Sequence, residues 1–130
     1  AHDFGLHWWE QLPPADGKLV WKKHLIDDTV SQLHVLHLAD LTGDGKPELI
    51  TGKRYFAHNG GDPGAKEPVT MLYYEIDSTE ATFKRHVISK ERVGTGLQIK
   101  TGDIDGNGFN DIAVAGKSGT YILFNHGFKK

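Results

Sequence analysis

The chain has 130 residues, the length of one ordinary domain. Fifteen Lys and Arg against 17 Asp and Glu leave a formal charge of −2, which argues against a phosphate-tracking nucleic-acid protein. The absence of Cys excludes disulfides, zinc–thiolate sites and thiol catalysis, and no apolar run is long enough for a transmembrane helix. The opening Ala1-His2-Asp3-Phe4-Gly5 shows neither the charged nor the apolar region of a signal peptide. Sixteen Gly and 5 Pro imply frequent turns, and so short strands rather than long helices.

In chain order, a leading aromatic strand is predicted over 6–11 (Leu6-His7-Trp8-Trp9-Glu10). A basic strand near 20–26 follows, then one ending at Asp40, one near 48–53 and an aromatic one near 70–76. The same kinds of run return near 83–88, 97–102, 111–116 and 120–125. Each is short, rich in Val, Ile, Leu, Tyr or Trp, and bounded by Gly, Asp, Asn or Pro, which is strand chemistry. No capped stretch with helical periodicity is found.

The chain repeats itself. Trp21-Lys22-Lys23-His24-Leu25-Ile26 returns as Phe83-Lys84-Arg85-His86-Val87-Ile88, and Leu36 to Asp40 as Ile99 to Asp103. The repeats run over about 18–77 and 81–126, with 6–11 left over from a preceding unit. Four antiparallel strands per repeat is propeller arithmetic; a plain β-sandwich has no need of two copies of one motif in one register. The expectation is therefore an all-β chain, one unit over 1–130. It consists of two four-stranded β-propeller blades plus a leading strand. Closed propellers have ~4–8 blades, so two imply part of a larger propeller or a self-associating protomer.

Each repeat contains an acidic nonapeptide. Asp40, Thr42, Asp44 and Glu48 in the first, and Asp103, Asp105, Asn107 and Asp111 in the second, occupy positions 1, 3, 5 and 9. Gly stands at positions 4 and 6, where a tight loop needs positive φ. Lys46 and Phe109 at position 7 would each offer a backbone carbonyl. Oxygen donors alone suit a hard cation, and calcium accepts six to eight of them; about two ions per chain are expected. An EF-hand is excluded, because Thr51 and Val114 stand where its position-12 Glu belongs. A simple Asx-turn hairpin would leave the crowded carboxylates repelling one another.

This pattern resembles the FG-GAP and VCBS repeats of seven-bladed propellers, including the integrin α-chain head. The resemblance implies calcium held between the two inner strands of each blade, in a mostly structural role. Thr42 and Asn107 depart from the family's D-x-D-G-D-G-x-x-D pattern, each lowering ligand charge by one without removing an oxygen.

The segment from Gly52 to Pro68 is longer than a blade connection requires, and long structured loops are disproportionately functional. Lys53, Arg54, His58, Asn59 and Asp62 offer partners for sugar hydroxyls or a carboxylate, and Tyr55 and Phe56 offer stacking faces. A self-packed Ω-loop accounts for the same residues. The segment also resembles, over a short stretch, propellers related to aldos-2-ulose dehydratases. That would make His34, Lys53 and His58 the first acid–base candidates. The repeat-equivalent His24 and His86 read as structural. Of each pair Trp8-Trp9 and Tyr73-Tyr74, neighbours on a strand face opposite ways, with burial the default.

Together these features lead to an expected calcium-stabilised binding module for a glycan or protein, extracellular or periplasmic because weak calcium sites stay empty in cytosol. A sugar lyase or dehydratase and a purely structural self-associating scaffold are the alternatives.

Overall fold

Short runs of alternating apolar and polar residues, broken by Gly and Asp turns, fold into nine β-strands in a computed structural model that describes residues 2–127. Residue 1 and residues 128–130, the ends of the unit expected over 1–130, lie outside the described residues. The strands are β1 Phe4–Ala15, β2 Lys18–Ser31, β3 Leu33–Ala39, β4 Glu48–Lys53 and β5 Thr70–Asp77. They continue as β6 Thr82–Lys90, β7 Ile99–Gly102, β8 Asp111–Gly116 and β9 Gly119–Leu123. A 3-10 turn, Ala57–Gly60, is the one helical element among the described residues, so no helix there is long and apolar enough to cross a membrane.

All strand pairs are antiparallel, in three sheets ordered β1-β2, β3-β4-β5-β6 and β7-β8-β9. The first hairpin is longer than its sequence predicts, because Asp16 (φ 50) and Gly17 (φ 71) form a tight two-residue turn that lets pairing run to Ala15↔Lys18. Sheet and sequence repeat are out of step by one strand. The basic strand that opens each repeat is the last strand of the preceding sheet, so β2 pairs with β1 and β6 pairs with β5. The units 18–77 and 81–126 each straddle two sheets, and the complete four-stranded sheet spans 33–90.

The central sheet is covered on both faces. Ile50 and Met71 turn one way, toward Ile99, Ile112 and Val114 of the third sheet. Leu72 and Tyr74 turn the other way, toward Leu6 and Val30 of the first hairpin. Ile50, Met71 and Leu72 are fully buried, and side chains of that size stabilise by roughly 1.5–3 kcal/mol each when buried. The close approach of segment 93–97 to β8 depends on Gly96, where an added Cβ would lie 2.2 Å from the Ala115 carbonyl oxygen. Leu36 and Leu38, both on β3, remain exposed.

Candidate functional site

The two acidic loops join β3 to β4 and β7 to β8, and they share a hydrogen-bond skeleton. In the first, Asp40 accepts the backbone N–H of Gly43 at 2.6 Å and of Gly45 at 2.8 Å. In the second, Asp103 accepts those of Gly106 at 2.8 Å and Gly108 at 2.9 Å. All four glycines have φ between 76 and 89, the left-handed region that lets the loop wrap its first carboxylate. The ninth residue closes each loop from the start of the following strand. Glu48 accepts the N–H of Leu41 at 2.7 Å, and Asp111 that of Ile104 at 2.8 Å.

Ligand atoms of Asp40, Asp44 and Glu48 lie within 4.8 Å of one another, as do those of Asp103, Asp105 and Asp111. Glu48 and Asp111 are buried, so each cluster has a rigid floor and a solvent-facing rim. Thr42 points its hydroxyl at Glu48, 3.4 Å away, and Asn107 donates to Asp105 at 3.2 Å. The donor set is entirely oxygen and fits a hard divalent cation. Partial desolvation pushes the Asp40 carboxyl upward, but the N–H groups of Gly45 and Gly43 outweigh it and hold the group below the usual carboxylate range. The Asn125 N–H does the same for Asp111, against desolvation.

The loops are also strapped together. Asn110 donates to the Asp40 carbonyl at 2.8 Å, and Asn125 donates to the Leu41 carbonyl at 2.8 Å while accepting from Asn107 at 2.8 Å. Sequence reading missed both asparagines, because their partners lie 70 and 84 positions away.

The segment after β4 is held from within. Lys53 is buried, and its ammonium donates to Ser31 Oγ at 2.9 Å, to Glu67 at 2.9 Å and to the Gly64 carbonyl. Lys53 is thus a loop anchor, with its ammonium engaged inside the chain. Gln32 donates to the Pro63 carbonyl at 2.6 Å, and Ala57 and Ala65 are buried beneath the loop. On this frame the structure gathers His58 with Asp62, at 2.7 Å, and His34 with Arg54, at 2.8 Å. His34 Nε2 must accept, since a guanidinium only donates; burial first, then the Arg54 charge, pushes its pKa down. The His58 bond holds the Asp62 carboxyl below its usual range. Asn59 sits in the same turn at φ 56 without joining these contacts, and Tyr55 and Phe56 present exposed rings 6.1 Å apart. His2 completes the group, 3.1 Å from His58 and 3.2 Å from Asp62.

The repeat-equivalent histidines are structural. His24 stacks on Trp8 at 4.3 Å and bonds Glu10 at 2.9 Å; His86 stacks on Tyr73 at 4.5 Å with its Nε2 2.6 Å from Glu75. The second contact is close without being aligned as a hydrogen bond. His37 bridges β3 to β7 through Thr101 at 2.9 Å. Of the outer aromatics, Tyr74 is buried as expected, whereas Trp9 is 56% exposed and overturns that default. The cause is position, since Tyr74 lies between two sheets and Trp9 faces away from the one neighbour its hairpin has among the described residues.

The fold and these loops define an all-β protein of antiparallel sheets carrying paired acidic hairpin loops and one anchored loop that bears His58 and Asp62. Comparison with known protein families, with curated proteins and with solved structures finds no match to this chain.

Proposed function

We propose that the chain is a calcium-stabilised, propeller-type binding module of the FG-GAP/VCBS kind, recognising a carbohydrate or protein in an extracellular or periplasmic setting. The observation that carries this reading is the shared skeleton of the two loops, each converging three carboxylates on one point. Asp40, Thr42, Asp44, Glu48 and the Lys46 carbonyl would hold one ion; Asp103, Asp105, Asn107, Asp111 and the Phe109 carbonyl would hold the other. Bound calcium would neutralise the crowded carboxylates and fix both loops. The blade reading draws support from adjoining sheets whose β3 and β7 meet through His37 and Thr101, and from Leu36 and Leu38, which await a neighbour. Recognition falls to Arg54, His58, Asn59 and Asp62 on the loop that Lys53 anchors.

The lyase or dehydratase alternative keeps one exposed acid–base pair, His58 with Asp62, because Lys53 and His34 Nε2 are already engaged. Calorimetric titration after chelation should find about two calcium ions per chain, with Asp40→Ala and Asp103→Ala each removing one. Failure to bind calcium at millimolar concentration would sink the proposal. A glycan-array screen with and without calcium identifies the target, and turnover of keto-sugars by the parent chain that His58→Gln abolishes would favour the enzyme instead.

A further inference from the structure

His2, His58 and Asp62 form a closed triangle of donor atoms: Nδ1 to Nδ1 at 3.1 Å, His2 Nδ1 to Asp62 Oδ2 at 3.2 Å, and His58 Nδ1 to Asp62 Oδ2 at 2.7 Å. Protons cannot satisfy all three edges. A carboxylate ionised at neutral pH only accepts. If both imidazoles donate to it, their Nδ1–H groups face each other; if either accepts, a lone pair faces the carboxylate. One edge always sets like against like.

A cation at the centre removes the conflict, because all three atoms then present lone pairs to it. Two imidazole nitrogens and one carboxylate oxygen are borderline ligands that suit first-row divalent ions such as zinc. At bond lengths of about 2.0–2.2 Å, ligand atoms at right angles to tetrahedral spacing lie about 2.8–3.6 Å apart, a range that holds the 3.1 and 3.2 Å edges; the 2.7 Å edge between His58 and Asp62 would have to open slightly on binding. We propose that His2, His58 and Asp62 bind one zinc-class divalent ion, separate from the calcium loops.

A second observation supports a built site. Phe56, His58 and Asn59 all have left-handed backbone, with φ of 43, 45 and 56, a costly conformation for side-chain-bearing residues. The twist carries His58 back onto Asp62 four positions on, within the loop whose far side Lys53 holds at Gly64 and Glu67. Three protein ligands leave coordination positions open, the arrangement of metal sites that take an outside ligand.

The test is zinc titration of the full chain in saturating calcium, which keeps hard cations in the acidic loops and makes the result independent of the calcium reading. One zinc should bind per chain, and cobalt in its place should give visible absorption bands of nitrogen and oxygen ligation. His2→Gln, His58→Gln and Asp62→Asn should each lose more than the ~10–100-fold that removing a mere supporting partner costs. Asp28→Asn, at an exposed residue outside both the triangle and the acidic loops, should keep zinc affinity unchanged. Far-ultraviolet circular dichroism verifies that each variant is folded. Absence of zinc binding in the parent, or equal affinity in His58→Gln, overturns the assignment.

Discussion

Tyr74 donates its phenolic proton to Asp27 at 2.7 Å, joining the middle of the central sheet to the hairpin that covers it. Both side chains are buried, and Asp27 also accepts the Thr29 hydroxyl at 2.6 Å and the Thr29 N–H at 2.8 Å, with the Arg85 Nε 3.5 Å away. Tyr74→Phe removes one bond and leaves Asp27 its other partners, so urea denaturation should show a loss of about 1 kcal/mol. Asp27→Ala strands a buried hydroxyl and should cost more, about 2–3 kcal/mol. Equal losses for the two would contradict the picture.

The same group gives a pH dependence. Burial pushes the Asp27 carboxyl up, yet hydrogen bonds from Thr29 and Tyr74, aided by the Arg85 charge, bring it below its ordinary value. A depressed folded pKa means the contribution is complete above the unfolded value near ~4 and disappears as pH falls through the folded one. Stability should therefore drop below about pH 4, and Asp27→Asn should flatten part of that slope. A parallel acid limb in the variant would assign the drop to other carboxylates.

The strap between the acidic loops predicts that the two proposed calcium sites communicate. Emptying the second loop with Asp103→Asn should weaken calcium at the first, and Asn110→Ala should reduce that effect while the Asn125 bond keeps the remainder. Coupling free energies of about 1–3 kcal/mol correspond to 5–150-fold in affinity. Calorimetry on the single and double variants measures it directly. Additive behaviour throughout would leave the Asn110 and Asn125 bonds a packing role only.

Lys53→Met should cost about 2–3 kcal/mol, because a buried ammonium bonded to three oxygens is exchanged for none. Glu67 is half exposed, so the Lys53–Glu67 ion pair supplies the smaller share. Hydrogen exchange should quicken across 54–68 while the core of β4 and β5 stays protected. Unchanged loop protection would remove Lys53 from its anchoring role.

Two glycines separate conformational from steric cost. Gly106 has φ 76 and open space around its Cα, so Gly106→Ala should cost about 1–2 kcal/mol, the price of a left-handed alanine. Gly96 has no such φ, but its added Cβ would strike the Ala115 carbonyl, and overpacking there should exceed the ~1–3 kcal/mol usual for a core. Denaturant midpoints for the two variants give the order.

The acidic loops were legible because alternate side chains point one way in a tight loop, so spacing alone reports convergence, and each glycine predicted there does take positive φ. Strand identities were legible for the same local reason. Lys53 was not, since a lysine that anchors a loop is written like one that meets solvent; only Ser31 and Glu67, distant in sequence, reveal the difference. His2 was hidden similarly, with His58 and Asp62 56 and 60 positions away. Repetition fixed the period of the sheets without fixing where they are cut.

That cut, one strand after each repeat begins, interlocks neighbours like overlapping bricks. A duplicated stretch spanning one full repeat would deliver the closing strand of the sheet before it and the first three of the next. Chain growth by copying would therefore add one complete four-stranded sheet at a time, and no single repeat could come loose without opening two sheets at once.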